Sequence, residues 1–168
     1  MRTGAGTGSS SGLSGRAGAY RAALARTGRM YDGWLPYPPD LAHYAPGLHD
    51  LRRAADAGRA AEDIIPALFV SVRIDQDVES GRRALDGCSR ATYGMPLQEL
   101  ERIQAAVTGS ADEVPERLAR YVAAGIRHLV VRLGALDLRS QRDQLDRGAD
   151  LIPAVRRAAG RGSAPEGS

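Results

Sequence analysis

The run "GSADEVPERLARYVAAGIRHLVVRLG", Gly109 to Gly134, constrains the fold more than any other part of this chain. It opens with Ser110 and Glu113 in the register of a capping box, where each could satisfy the other's backbone N–H. Val114, Leu118, Tyr121 and Val122 then recur at helical spacing, and Gly125 marks a stop. Pro115 falls just inside the first turn and removes one helical N–H. His128 to Leu133 follows as an apolar, β-branched run and reads as a buried strand. A helix feeding directly into such a strand is the unit from which parallel sheets are built.

The rest of the chain extends this grammar. "IIPALFVSVRI", Ile64 to Ile74, reads as a second strand with Pro66 at its entry. "DGWL" reads as a short strand or strand-like turn after a helix over Ala22 to Met30. Helices are expected over Pro46 to Ala57, over Asp77 to Cys88 with Asp75 and Asp77 as caps, and over Leu97 to Val107. A long helix is expected over Ser140 to Ala159, kinked at Pro153, with Leu145, Ala149, Ile152 and Val155 on one side. The fold class is therefore α/β, with two or three parallel strands. A sheet that small leaves unpaired edges.

Length and charge narrow the function. At 168 residues, 43% hydrophobic and 26% charged, the chain suits one globular domain with a real core. No apolar run is long enough for a membrane span, and the N-terminus lacks the apolar centre of a signal peptide. Cys88 stands alone, so a reduced cytoplasm is the expected compartment and a disulfide framework is excluded. The net charge of +3 comes entirely from Arg, interleaved with acids, so no cationic face for nucleic acid is expected. Residues 1–17 hold nine Gly or Ser and, after Met1, one large apolar residue, Leu13, and read as a disordered segment. Residues 160–168 read the same way as a tail, and 18–159 as the ordered domain.

Familiar catalytic signatures fail on context. "GSSSG", Gly8 to Gly12, fits the nucleophile-elbow spacing but has no strand before it. "GAGTGS" lacks both the dinucleotide spacing and the lysine of a phosphate loop. His43, His49 and His128 share no metal-ligand spacing, so no metal is expected. Cys88 has no His nearby and reads as a packed thiol. The aromatic residues are less evenly spread: five of eight, Tyr20, Tyr31, Trp34, Tyr37 and Tyr44, lie in or beside "GRMYDGWLPYPPD".

The ordered series "GAY" (Gly18 to Tyr20), "RTGRMYDGWLPYPPD", "ADAGR" and "VPERLARYVAAGIRHLVVRLG", with Gln144, Leu145 and Pro153 near the end, resembles the luciferase-like monooxygenase family. That family comprises flavin- or deazaflavin-dependent oxidoreductases built on a TIM barrel. The resemblance runs from Gly18 to Ala159 and matches the C-terminal part only, since a closed barrel takes about 250 residues and eight strands. It implies an incomplete barrel, a fragment whose missing N-terminal half-barrel, or a homodimer, would close the sheet. It implies FMN or the deazaflavin coenzyme F-420 as cofactor, the "GAY…TGR…DGWLP" run leaning toward the deazaflavin branch, and a small-molecule substrate. Gly18, Ala19, Tyr20 and Arg21 would meet the cofactor phosphate at a strand's C-terminal end, and Trp34 and Tyr37 would wall the substrate pocket. No catalytic residue is assigned, because much of the ring's pocket belongs to strands outside this sequence. A rival reading is a non-catalytic α/β half-barrel module that self-associates or pairs with a partner chain.

Overall fold

The computed structural model describes residues 22–38, 40–54 and 63–162. Helix α1 covers 22–30 and leads to strand β1, Gly33–Trp34. Then come α2 (Leu41–Ala54), β2 (Ile65–Ile74), α3 (Val78–Tyr93), α4 (Leu97–Leu100), β3 (Ala105–Gly109), α5 (Glu113–Ala123), β4 (His128–Leu133), α6 (Leu138–Gly148) and α7 (Leu151–Gly162).

All pairings are parallel, and β2 is the hub. Alternate residues of a strand present their backbone groups to alternate sides. Ile65 N–H donates to Asp32 C=O (2.8 Å), and Asp75 N–H donates to Gly109 C=O (2.9 Å). Arg127 N–H donates to Pro66 C=O (2.9 Å), and Gly134 N–H donates to Val72 C=O (2.8 Å). Odd-numbered residues thus serve one edge and even-numbered ones the other. It follows that β1 and β3 share one edge of β2, β1 at its start and β3 at its end, while β4 holds the opposite edge. Between β1 and β3 the Ala67 carbonyl accepts a bond from the Tyr44 hydroxyl (3.3 Å), so a side chain fills the gap in the ladder.

Each sheet face has its own apolar cluster. Leu68, Val70, Val72 and Ile74 of β2 pack with Ala105, Val107, Leu129 and Val131 under α2, α5 and α7, through Leu48, Leu51, Val114, Leu118 and Val155. The other face carries Phe69, Ser71 and Arg73, and its smaller cluster joins Leu85, Cys88, Leu97 and Leu100 of α3 and α4 to Ala106. Asp86 fixes this pair of helices by accepting the Leu97 N–H (2.8 Å) and the Arg90 Nε–H (2.7 Å). The fold is α/β, as the sequence implies, and the sheet is not closed.

Several elements depart from expectation. Leu97 to Val107 is not one helix: α4 stops at Leu100, and Ala105–Gly109 is a strand. The strand wins because Ala105 and Val107 complete the main core and Gln104 is buried against Ser71, Nε2 to Oγ 2.6 Å. Helix α2 begins five residues before the expected Pro46 and contains that proline; the expected end at Ala57 lies outside the described residues. Helix α3 runs on to Tyr93, where Gly94 (φ 70°) closes it, and only Asp77 caps it, accepting the Ser80 N–H; Asp75 turns instead to Arg73. Ser140 to Ala159 is two helices: α6 ends at Gly148, and Pro153, which can neither donate to a preceding carbonyl nor fit against it in a helix interior, falls in the first turn of α7. Leu145 and Ile152, expected on the buried side, are 56% and 64% exposed. Strand β4, expected to be buried, is half-exposed throughout. The capping box forms as read: Glu113 Oε2 accepts the Ser110 N–H (2.9 Å), and Ser110 Oγ accepts the Glu113 N–H (3.2 Å). Pro115 falls in the first turn, where no intrahelical N–H is required. Helix α7 reaches Gly162, past the boundary expected at Gly160.

Candidate functional site

In parallel α/β folds the C-terminal ends of the strands are where function gathers. Here those ends carry Arg73, Asp75, Gly109, Ser110 and Gly134. The Arg73 side chain is 15% exposed and held at two of its three nitrogens: Nε donates to Asp75 (3.2 Å), and Nη1 donates to the Gly134 carbonyl and the Ser140 hydroxyl (2.9 Å each). Beyond the last residue of β4, the Gln144 side chain replaces a strand neighbour. Its Oε1 accepts the Ile74 N–H (2.9 Å) and its Nε2 donates to the Ile74 C=O (2.8 Å). Gln144 is wholly buried. Among the described residues no buried side-chain nitrogen or oxygen lacks a partner. The polar groups at the strand ends therefore bind one another.

A more available surface lies lower on the same sheet face. Tyr37, 59% exposed, leans on Phe69 with ring centroids 5.5 Å apart. Phe69 pairs in register with Val130, itself 43% exposed, and Ser71 pairs with Arg132. The Arg132 guanidinium donates to the Tyr93 hydroxyl (2.6 Å) and to Thr92 Oγ1 (2.9 Å), and no carboxylate among the described residues pairs with it. The result is a strip with an aromatic and aliphatic end and a cationic end. Beneath it Cys88 is buried, and burial pushes its thiol up against the opposing pull of Arg73 and Arg132, so it stays protonated.

Strand β4 also borders two open grooves. One, about 770 Å³, runs between α5, α7 and the strand, with Leu118, Val122, Leu129, Val131 and Val155 along its floor. The other, about 600 Å³, lies at the strand's C-terminal end beside Arg132, Leu136 and Leu138. Leu145 and Val131 line both.

The expected cofactor residues Gly18, Ala19, Tyr20 and Arg21 lie outside the described residues. Trp34 and Tyr37, expected to wall one pocket, are on opposite faces. Trp34 is 8% exposed and belongs to the main core, its ring 5.1 Å from that of Tyr44, whereas Tyr37 is on the Phe69 face. The histidines do not converge; His43 Nδ1 pairs with Asp40 at 2.7 Å. Among the described residues no three His, Cys, Asp or Glu gather as a metal site would require, and no helix is long and apolar enough to cross a membrane. Sequence reasoning did not single out Arg132. Its signal was an arginine alternating with exposed positions on a strand, which is invisible until β4 is known to lack a second neighbour.

No protein-family model matches the chain, and no curated protein matches it in sequence. Solved structures do match in fold. The coenzyme F420-dependent tetrahydromethanopterin reductase of Methanopyrus kandleri superposes with a TM-score of 0.55 at 14% identity, covering 79% of this chain and 48% of that one. An F420-dependent secondary alcohol dehydrogenase, solved with an F420–acetone adduct, gives 0.56 at 20% identity, with 81% and 46% covered. Riboflavin lyase, solved with modified FMN and riboflavin, gives 0.58 at 15% identity, with 86% and 42% covered. The chain thus spans less than half the length of each of these proteins. These are luciferase-like barrel proteins, and the chain has their fold, as an unclosed portion of its parallel sheet.

Proposed function

We propose that this chain is the C-terminal part of a flavin- or deazaflavin-dependent oxidoreductase acting on a small molecule. The observation that carries the reading is the fold shared with F420- and FMN-associated proteins over most of the described residues. The "GAY…TGR…DGWLP" run favours the deazaflavin coenzyme over FMN. When bound, such a coenzyme supplies the hydride or oxygen chemistry, and the protein supplies position and electrostatics.

The described residues alone do not fit a cofactor ring. Arg73, Asp75, Ser140 and Gln144 are engaged with one another, and no buried polar group is left to meet a ligand. No catalytic step is derived from them. In this reading Gly18 to Arg21 meet the phosphate and Tyr37 touches substrate, while the ring's pocket is completed by a half-barrel beyond this sequence. Titrating the protein with F420 and with FMN, following coenzyme fluorescence, tests this directly. Binding weakened by Arg21→Gln supports it. If neither coenzyme binds, alone or with barrel strands encoded immediately upstream in any frame, the reading fails.

A second reading has its own observation. The closed polar network at the strand ends, together with the open β4 edge, suits a non-catalytic half-barrel module that associates through its sheet. Sedimentation separates the two. A stable, well-folded dimer without coenzyme affinity favours the module, and a monomer that binds coenzyme favours the enzyme.

A further inference from the structure

We infer that Arg132 and the Tyr37–Phe69 aromatic pair form one binding strip for a small aromatic carboxylate, which in the oxidoreductase reading is the substrate. The inference rests on that reading only for the ligand's role, because every residue of the strip belongs to the described part of this chain.

Arg132 is a cation held in place by neutral groups. Its guanidinium donates to the Tyr93 hydroxyl (2.6 Å) and to Thr92 Oγ1 (2.9 Å), and its Cζ lies 5.1 Å from the Tyr93 ring centroid. Those two bonds use two of a guanidinium's five N–H donors, and among the described residues the others have no partner. The contacts fix the position of the charge without cancelling it. On the same face Arg73 is balanced by Asp75 at 3.2 Å, and the buried Cys88 thiol stays protonated, so neither adds an unmatched charge. A carboxylate answers a guanidinium with paired N–H bonds, a geometry that is specific to a planar anion.

The body of the ligand is chosen by what lies one step down the strand. Arg132 pairs in register with Ser71, and Val130 pairs with Phe69. The cation therefore stands two residues, about 7 Å, beyond the Phe69 row. Ser71, between the two on β2, is small, and its hydroxyl is already taken by Gln104 (2.6 Å). Tyr37 leans over Phe69 at an interplanar angle of 43°, and Pro36 and Pro38 on either side restrict its backbone. A ring seated on Phe69 and Val130 beside Tyr37 would bring its carboxylate to the guanidinium. A saturated acid of the same size would forgo the ring contacts.

The test follows naphthoate, its neutral counterpart naphthamide, and cyclohexanecarboxylate by ligand-detected NMR on the full chain without coenzyme. Naphthoate should bind about two- to fivefold tighter than the amide. It should bind about two- to tenfold tighter than the saturated acid. Arg132→Gln should equalise naphthoate and naphthamide. A guanidinium that only ties down the end of α3 would instead lower the melting temperature and leave their ratio unchanged. Should that variant not fold by circular dichroism, Tyr37→Ala, at an exposed position, should weaken both naphthyl ligands alike, and unaltered binding there overturns the proposal. Equal binding of naphthoate and naphthamide to the unaltered chain, or no binding, also overturns it. So does inorganic phosphate displacing naphthoate as well as unlabelled naphthoate does, which would mark a bare anion site. Displacement by F420 or FMN would mark the coenzyme's own place and overturn the substrate assignment. With coenzyme absent from the titration, failure to bind coenzyme and failure of the strip are separate results.

Discussion

Strands β2 and β4 run side by side in register, and both are built largely from aliphatic and β-branched residues. Leu68, Val70 and Val72 of β2 are fully buried, whereas Val130 of β4 is 43% exposed and no residue of β4 reaches full burial. The difference is not in the side chains. β2 has strands on both edges and helices on both faces, and β4 has a strand on one edge only. Burial in a parallel sheet is conferred by neighbours, and an apolar strand at an open edge is apolar surface awaiting cover.

The comparison is broken most sharply by paired truncations. Leu68→Ala should cost about 2–5 kcal/mol in urea unfolding, because it opens a cavity in a site that cannot collapse. Val130→Ala should stay within about 0.5 kcal/mol. Equal costs would mean that β4 is as well covered in solution as β2.

Next in size comes the end of β2. Gln144→Leu keeps bulk and removes both partners of Ile74, leaving a buried N–H and C=O unmet at about 1–3 kcal/mol each. Hydrogen exchange at the Ile74 amide should quicken more than at Val70. Gly109, at φ 149°, has the Glu113 side chain 2.9 Å from where a Cβ would stand, so Gly109→Ala should destabilise by about 1 kcal/mol or more.

The smallest effect is acidic. Backbone N–H bonds from Ser80 hold the Asp77 carboxyl below its ordinary value, and the Ser110 N–H does the same for Glu113. A carboxyl depressed on folding stabilises the fold above its unfolded pKa and loses that contribution as pH falls through the folded value. The melting temperature should therefore decline as pH drops through and below the ordinary carboxyl range. Asp77→Asn together with Glu113→Gln should flatten that decline.

What was legible in the sequence follows the same division. Strand β2 and the unit from Ser110 to Leu133 could be read nearly to the residue, because periodicity, a capping box and a stopping glycine agree there. Strand β3 was hidden: Leu97, Leu100, Ile103, Gln104 and Val107 fall at helical intervals, and only the core that needs Ala105 and Val107 decides otherwise. The candidate site was less visible. Trp34 reads as a pocket wall until the Tyr44 ring is found against it, and Gln144 could be named only through the family resemblance. Its partner is 70 residues away in sequence, beyond the reach of any local pattern.

That separation has a consequence for synthesis. The last backbone groups of β2 stay unmatched until α6 has been made, and a ribosome adding about 5–20 residues per second needs roughly 4 to 14 s to cover the distance. Throughout that interval the central strand of the nascent chain ends in a raw tip, open to whatever else is extended nearby. The segment that carries Gln144 therefore completes the end of the central strand only late in synthesis, and chains stalled before Gln144 should be the more prone to aggregate.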